Sequence, residues 1–192
     1  MSRLIIATNN AGKVKEIKAI FEGVYSEVLS LKEAGISLEV EEDGVTFEQN
    51  AVKKAVEAAK VAGCDALADD SGLCVDALGG APGVFSARYA GPHATDALNN
   101  EKLLAALENE ENRGAKFVAV VALAKGAEVV TACGEVFGEI ARRPSGGGGF
   151  GYDPLFFLPE LGQTFAELPA EIKNGLSHRA RALAALRDKL DA

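Results

Sequence analysis

An excess of positive charge is the first thing this sequence lacks. Its 192 residues carry 20 Lys and Arg against 28 Asp and Glu, a formal net charge of −8. No overall basic field therefore exists to hold a nucleic-acid polymer or an anionic membrane, and neither is expected as a partner. A small polyanion is still admissible, because a local group of cations and backbone N–H groups, bridged by a divalent metal, can oppose the global sign. Cysteine is also scarce. Cys64, Cys74 and Cys133 are odd in number and show no CxxC spacing, which argues against a disulfide framework or a zinc site and for reduced, mostly buried thiols. No run of about 18 apolar residues occurs, and the opening MSRLIIATNN has no long apolar stretch of the signal-peptide kind; a soluble, cytoplasmic protein is expected. Internal repeats are missing as well, and the only low-complexity stretch is the glycine run at 146–149. What is present is an apolar fraction of 48%, enough for one domain, residues 1–192, with a sizeable core.

Strand and helix patterns alternate along the chain. RLIIAT (3–8) reads as a buried strand, and after the NNAG turn KVKEIKAIFEGV places Val14, Ile17, Ile20, Phe21 and Val24 at helical spacing. TFEQNAVKKAVEAAKVAG reads as a second helix, with Thr46 and Gln49 at capping-box spacing and Gly63 as its stop. DALADD is expected to be a short strand ending at its carboxylates, LCVDAL its continuation beyond a turn, and LGGAPGVFSARYAG an ordered loop. Thr95 caps a helix through Leu98, Leu103, Leu104 and Leu107. KFVAVVALA, AEVVTACG and EVFGEIAR then form three β-rich runs between glycine-containing turns, the pattern of an antiparallel meander. SHRARALAALRDKL closes the chain as a helix with Ser177 as its N-cap. The fold class expected is α/β, with a mixed, partly antiparallel twisted sheet flanked by helices.

Four segments could carry chemistry. TNNAGK (8–13) stands where a strand hands over to a helix, so backbone N–H groups, the helix N-terminus and Lys13 can face a phosphate; Ala7 and Val14 break the Walker pattern. Asp69 and Asp70 sit between two apolar stretches, and burying an unpaired carboxylate costs several kcal/mol unless a cation, metal or hydrogen bonds compensate. Mg²⁺ suits such a place, since it takes oxygen ligands and is shared between one or two carboxylates and substrate phosphates. Asp70 could be the ligand or the base, with Glu39 and Glu42 of LEVEEDG foremost among residues completing the shell. The alternative is that the two aspartates cap a turn through Ser71 and Gly72. GGGGFGYDP offers backbone freedom, two aromatic rings and a carboxylate, a wall on which a nucleobase can stack. KNGLSHRARAL gathers Lys173, His178 and Arg179 around a helix start, donors for phosphate or a ring carbonyl; His93 is a loop residue without a task.

Taken together, TNNAGKVKEI, ADDSGLCVDALGGAPGVFSARYAG, GGGGFGYDPLFF and KNGLSHRARAL resemble the inosine triphosphate pyrophosphatase family over almost the whole chain. The resemblance implies Mg²⁺-dependent hydrolysis of ITP, dITP and XTP to the monophosphate and pyrophosphate, by a homodimer with its site in a cleft between two lobes. It implies Asp70 as proton acceptor and metal ligand, Ser71 as a substrate contact, and Thr8, Asn9, Asn10, Ala11, Gly12 and Lys13 as the triphosphate cradle. Phe150, Gly151, Tyr152 and Asp153 would line the nucleoside pocket, with Lys173, His178 and Arg179 also reaching the substrate. Asn9 and Gly147 stand where such proteins often have Gly and Thr. The second metal ligand is Glu42, or in its place Glu39 or Glu41. A kinase-like phosphotransferase using TNNAGK as a variant phosphate loop, and a non-catalytic nucleotide sensor, are the rival readings.

Overall fold

A computed structural model of the chain describes residues 2–191. Leu4, Ile5 and Ile6 bury strand β1 (Arg3–Ile6). Helix α1 (Ala11–Phe21) follows, started by Asn10, whose side chain accepts from the Gly12 and Lys13 N–H groups, and anchored by Ile17 and Phe21. A short strand with no clear sequence signal, β2 (Glu27–Ser30), pairs in parallel with β1. Helix α2 (Phe47–Ala62) begins and ends as its sequence predicts: Thr46 Oγ1 accepts from Gln49 N at 3.2 Å, and Gly63 turns left-handed at φ 66°.

Strand β3 (Asp65–Val75) corrects an expectation. It runs through Asp69, Asp70, Ser71 and Gly72 without the turn foreseen there. β3 lies between β1, which it meets at Asp65–Leu67, and a fourth strand, so its course past the carboxylates follows partners distant in sequence rather than the local turn signal. Of LCVDAL, expected as strand, only the part up to Val75 is strand and Asp76–Leu78 is a 3₁₀ turn; the segment expected as a loop holds a second, Gly83–Arg88, and Thr95 then caps α3 (Asp96–Ala106). β4 (Gly114–Lys125) and β5 (Glu128–Ile140) are joined by Gly126 and Ala127, with Gly126 at φ 61° as a two-residue hairpin turn requires. Two long strands thus replace the three runs expected, and Gly134 stays inside β5. Gly138 is no turn residue either. A Cβ there would lie 2.6 Å from Phe157 O and 2.8 Å from Phe156 Cζ, so the glycine permits the approach of β6 (Phe156–Leu158). β7 (Gln163–Thr164), α4 (Ala170–Leu176) and α5 (His178–Asp191) complete the chain; Ser177, extended at ψ 152°, holds the N-cap position of α5.

The seven strands form one sheet in the order β2-β1-β3-β4-β5-β6-β7, parallel at β2, β1 and β3 and antiparallel at β5, β6 and β7. This is the mixed α/β class expected. The chain divides into two compact units. The first comprises residues up to Asp70, Ala119–Gly134 and those from Arg179; the second comprises Ser71–Val118 and Glu135–His178. In the first unit the strand period of two sorts side chains between faces. Leu4, Ile6 and Leu67 pack with Ile17 and Phe21 of α1 and Leu183 and Leu186 of α5, whereas Ile5, Ala66 and Ala68 pack with Ala51, Ala55 and Ala58 of α2. The second unit has its own core, in which Phe117, Phe156 and Phe165 meet Leu73, Leu103 and Val136. The thiols are less buried than expected: Cys133 is exposed and Cys64 and Cys74 half-buried, Cys133 pointing away from the core that its neighbour Ala132 enters. No helix among the described residues is long and apolar enough to cross a membrane.

Candidate active site

The alternation that sorts Leu67 from Ala68 continues into the aspartates and sends two adjacent carboxylates to opposite faces of β3. Asp69 takes the side of α1 and α5. It is 1% exposed, with Lys13 Nζ at 2.9 Å and Arg179 Nε at 3.2 Å from Oδ2, and Arg179 is braced from behind by Glu16 at 2.9 Å. Burial by itself would raise its pKa, but the ammonium and the guanidinium prevail and hold it well below the usual carboxylate range. Asp70 takes the side of α2. It is 6% exposed, accepts from Asn50 Nδ2 at 3.0 Å and has Lys54 Nζ at 3.9 Å. Here burial prevails over Lys54 and the Asn50 hydrogen bond, and the pKa is raised. One carboxylate is thus locked as an anion while its neighbour is made more basic, the separation that acid–base chemistry uses.

Asn50 also accepts from Gly44 N at 2.8 Å, which ties the acidic segment to the Asp70 carboxylate. Gly44 has no room for a side chain, because a Cβ would lie 2.5 Å from Asn50 Oδ1. Lys54 joins the same segment through Glu42 at 2.8 Å. A cleft of about 160 Å³ opens here, lined by Thr8, Asn9, Glu39, Glu42 and Lys54 among others. Of the three glutamates considered, Glu39 and Glu42 line it and Glu41 does not. Glu42 lines this cleft and the buried Asp70 shares Lys54 with it; both are hard oxygen donors, a type that suits Mg²⁺ completed by water and phosphate. No group of three His, Cys, Asp or Glu residues that could hold a metal occurs among the described residues, so such an ion would depend on a ligand's oxygens. In the TNNAGK loop, Thr8 Oγ1 accepts from Asn10 N at 3.2 Å, and Asn10 Oδ1 takes the Gly12 and Lys13 N–H groups at 2.9 and 3.2 Å. Part of the expected amide cradle is therefore filled by the loop's own side chains.

In the second unit, Phe150 to Asp153 form a closed turn. Asp153 N donates to Phe150 O at 3.2 Å, while the buried Asp153 carboxylate accepts from Phe150 N at 2.9 Å and from Lys173 Nζ at 2.6 Å. Lys173 also stands 4.8 Å over the Phe150 ring. Gly149, at φ 72°, has no space for a side chain against the Asp153 carboxylate. Tyr152 is buried and donates from its hydroxyl to Ser86 O at 2.7 Å; burial drives its pKa up. The buried His178 ring stacks on Phe117 at 4.8 Å.

The sequence profile of the Ham1 family matches residues 4–189. The chain belongs to the Ham1 family. A relative named dITP/XTP pyrophosphatase from Geobacter sulfurreducens is 55% identical over 193 residues, covering 99% of this chain and 97% of its own. Another of that name from Clostridium perfringens is 51% identical over 199 residues, covering 99% and 98%. Among solved structures, the Staphylococcus aureus Ham1 protein superposes with a TM-score of 0.91 at 43% identity, covering 99% of this chain and 98% of that one. A Ham1 protein from Coxiella burnetii gives 0.92 at 42%, covering 100% and 99%.

Within this Ham1 chain, the residues singled out from sequence fall into two sets. Thr8 to Lys13, Glu42, Asp70 and Arg179 belong to the first unit; Ser71, Phe150 to Asp153, Lys173 and His178 belong to the second. Arg179 is 2% exposed and engages Asp69 and Glu16. Asn50, Lys54 and Glu16, which surround the aspartates, lie outside the four chemistry-bearing segments of the sequence. A signal for the first two exists: a polar pair four residues apart, Asn50 and Lys54, runs beside the alanine stripe of α2 and so shares one helix face. Glu16 has none, because its partner Arg179 is 163 residues away.

Proposed function

We propose that this chain hydrolyses non-canonical purine nucleoside triphosphates, ITP, dITP and XTP, to the nucleoside monophosphate and pyrophosphate, and that it requires Mg²⁺. The observation that carries the proposal is the split pair on β3: an anionic Asp69 fixed by Lys13 and Arg179 beside an Asp70 whose basicity burial raises. The names of the Geobacter and Clostridium relatives support the substrate class. Asp70 and Glu42 would hold the Mg²⁺, which when bound supplies positive charge against the triphosphate. Asn50 and Lys54 keep the Asp70 carboxylate oriented. Asp70 accepts a proton from a water whose oxygen bonds to the α-phosphorus; the α–β bridge breaks, and its electron pair leaves with pyrophosphate. Lys13 and the remaining loop amides receive the negative charge. The Phe150–Asp153 turn, Ser71, Lys173, His178 and Arg179 serve the nucleoside. Hypoxanthine and xanthine present a 6-oxo acceptor where adenine presents an amino group, so a donor such as His178 or Arg179 rewards the former. An unpaired buried donor costs about 1–3 kcal/mol. The enzyme acts on the cytoplasmic nucleotide pool as a homodimer.

The test is turnover of ITP, XTP, GTP and ATP with and without Mg²⁺ in ¹⁸O-water. Label in the monophosphate, pyrophosphate as co-product and preference for ITP and XTP are expected. Label in pyrophosphate, or release of orthophosphate and a diphosphate, refutes attack at the α-phosphorus.

A further inference from the structure

Helix α3 carries polar side chains that the proposed reaction does not use, and they converge on the turn assigned above to the base. Asp96 and Asn100 stand four residues apart on one helix face. Asp96 Oδ2 accepts from Gly151 N at 2.8 Å, and Asn100 Nδ2 donates to Gly151 O at 3.0 Å. Both polar backbone groups of one residue are thus held by one helix. That residue is at φ 61°, in the turn whose ends are already joined through Phe150 and Asp153. Asn99, between the two, is buried and holds a second segment. Its Oδ1 accepts from Ala90 N at 2.8 Å and its Nδ2 donates to Ala87 O at 3.1 Å. The same segment contains Ser86, whose carbonyl accepts the Tyr152 hydroxyl and whose Oγ accepts from Leu73 N at 2.9 Å and donates to Gly83 O at 2.6 Å. The contacts close a ring: α3 to Gly151, Tyr152 to Ser86, and Ala87 and Ala90 back to α3.

We propose that Asp96 and Asn100 are positioning residues for base selection, clamping Gly151 so that the Phe150–Asp153 turn is preformed for the purine. The inference rests on the reading that this turn meets the base. A loop ordered in advance loses less freedom on binding, so releasing the clamp weakens nucleotide binding and blurs the base preference while the phosphate chemistry stays intact. Asp96 is also the first residue of α3, where any negative charge favours the helix. The two roles separate by substitution, because D96N loses the charge but keeps an acceptor for Gly151 N, whereas D96A loses both. N100D keeps the shape of Asn100 and loses its donor.

The experiment is steady-state hydrolysis of ITP and ATP by wild-type enzyme, D96A, D96N and N100D, with thermal unfolding measured alongside. Loss of one such hydrogen bond corresponds to roughly tenfold. D96A and N100D are expected to raise KM for ITP by about that factor and to narrow the ITP-over-ATP ratio of kcat/KM, with kcat within about twofold and D96N near wild type in both. If D96A does not fold, N100D and D96N decide alone. Unchanged KM and ratio in N100D, D96N behaving as D96A, or a fall in kcat at constant KM would each overturn the clamp. A wild-type enzyme that releases no pyrophosphate from ITP would overturn the functional reading itself, and the base-selection role with it.

Discussion

Adjacent aspartates can differ in what they contribute to folding, and Asp69 and Asp70 differ for a reason visible one residue at a time. Removing one partner of a buried ion pair leaves the other charge buried and uncompensated. D69N abandons Lys13 and Arg179 together, and although Glu16 still braces Arg179, the expected loss is about 3 kcal/mol. D70N removes a carboxylate that burial already disfavours and keeps an acceptor for Asn50, so its expected cost is below about 1 kcal/mol. Urea unfolding of both variants checks the contrast, and equal losses would mean that Asp69 is not the anchored member. Activity inverts the order for Asp70. With the proposed proton acceptor gone, D70N should bind ITP and fail to release pyrophosphate, whereas full turnover would remove Asp70 from the chemistry.

Glycines show at the level of elements how the same residue type can mark a turn or forbid one. Gly138 lies inside β5, where an added Cβ would collide with β6. G138A is therefore expected to cost about 1–3 kcal/mol by overpacking, although it makes the unfolded chain less free. Gly147 has open space around its Cβ position and an ordinary φ, and G147A should gain about 0.5 kcal/mol by the same unfolded-state effect. A shift of the two thermal midpoints in one direction would contradict this. The glycines also explain what could be read without coordinates. α2 was legible because its cap, its alanine stripe and its terminal glycine are all local signals. The merger of two β runs across Gly134 follows from the hairpin with β4, and the passage of β3 through Ser71 and Gly72 from its place beside a strand distant in sequence; the glycines themselves report neither. The positions of Asp69 and Asp70 between apolar runs announced their burial. Their assignment to opposite faces follows from strand alternation, because both already lie within the strand expected over DALADD. Lys13 and Asp70 are marked by their motifs; that Asn10 caps α1 and Arg179 anchors Asp69 depends on side-chain directions.

Across the whole molecule the shifted groups define a plateau of stability against pH. Asp69, Glu33, Asp43 and Glu167 have folded-state pKa values lowered from ordinary values of 3.8 and 4.5, Glu33 to about 2 through Lys18 and Ser30. A carboxylate depressed by folding contributes stability above its unfolded value and loses it as pH falls toward its folded value. Below about pH 4.5 the unfolded chain therefore binds protons that the folded chain refuses, and stability declines from there downward. Asp70 is raised and works in the opposite sense, but it is one group against four. On the alkaline side, Cys64 and Cys74 are raised from 9.0 by burial, and Tyr25 and Tyr152 from 10.0. A raised acid contributes stability below its unfolded value and loses it as pH climbs through its folded one, so the decline begins above about pH 9. Urea midpoints should be nearly flat between these limits and fall on either side. The acid limb isolates a single group: E33Q cannot ionise, so its midpoint should fall less than that of wild type between pH 4.5 and about 2, and parallel curves would deny Glu33 any part in it.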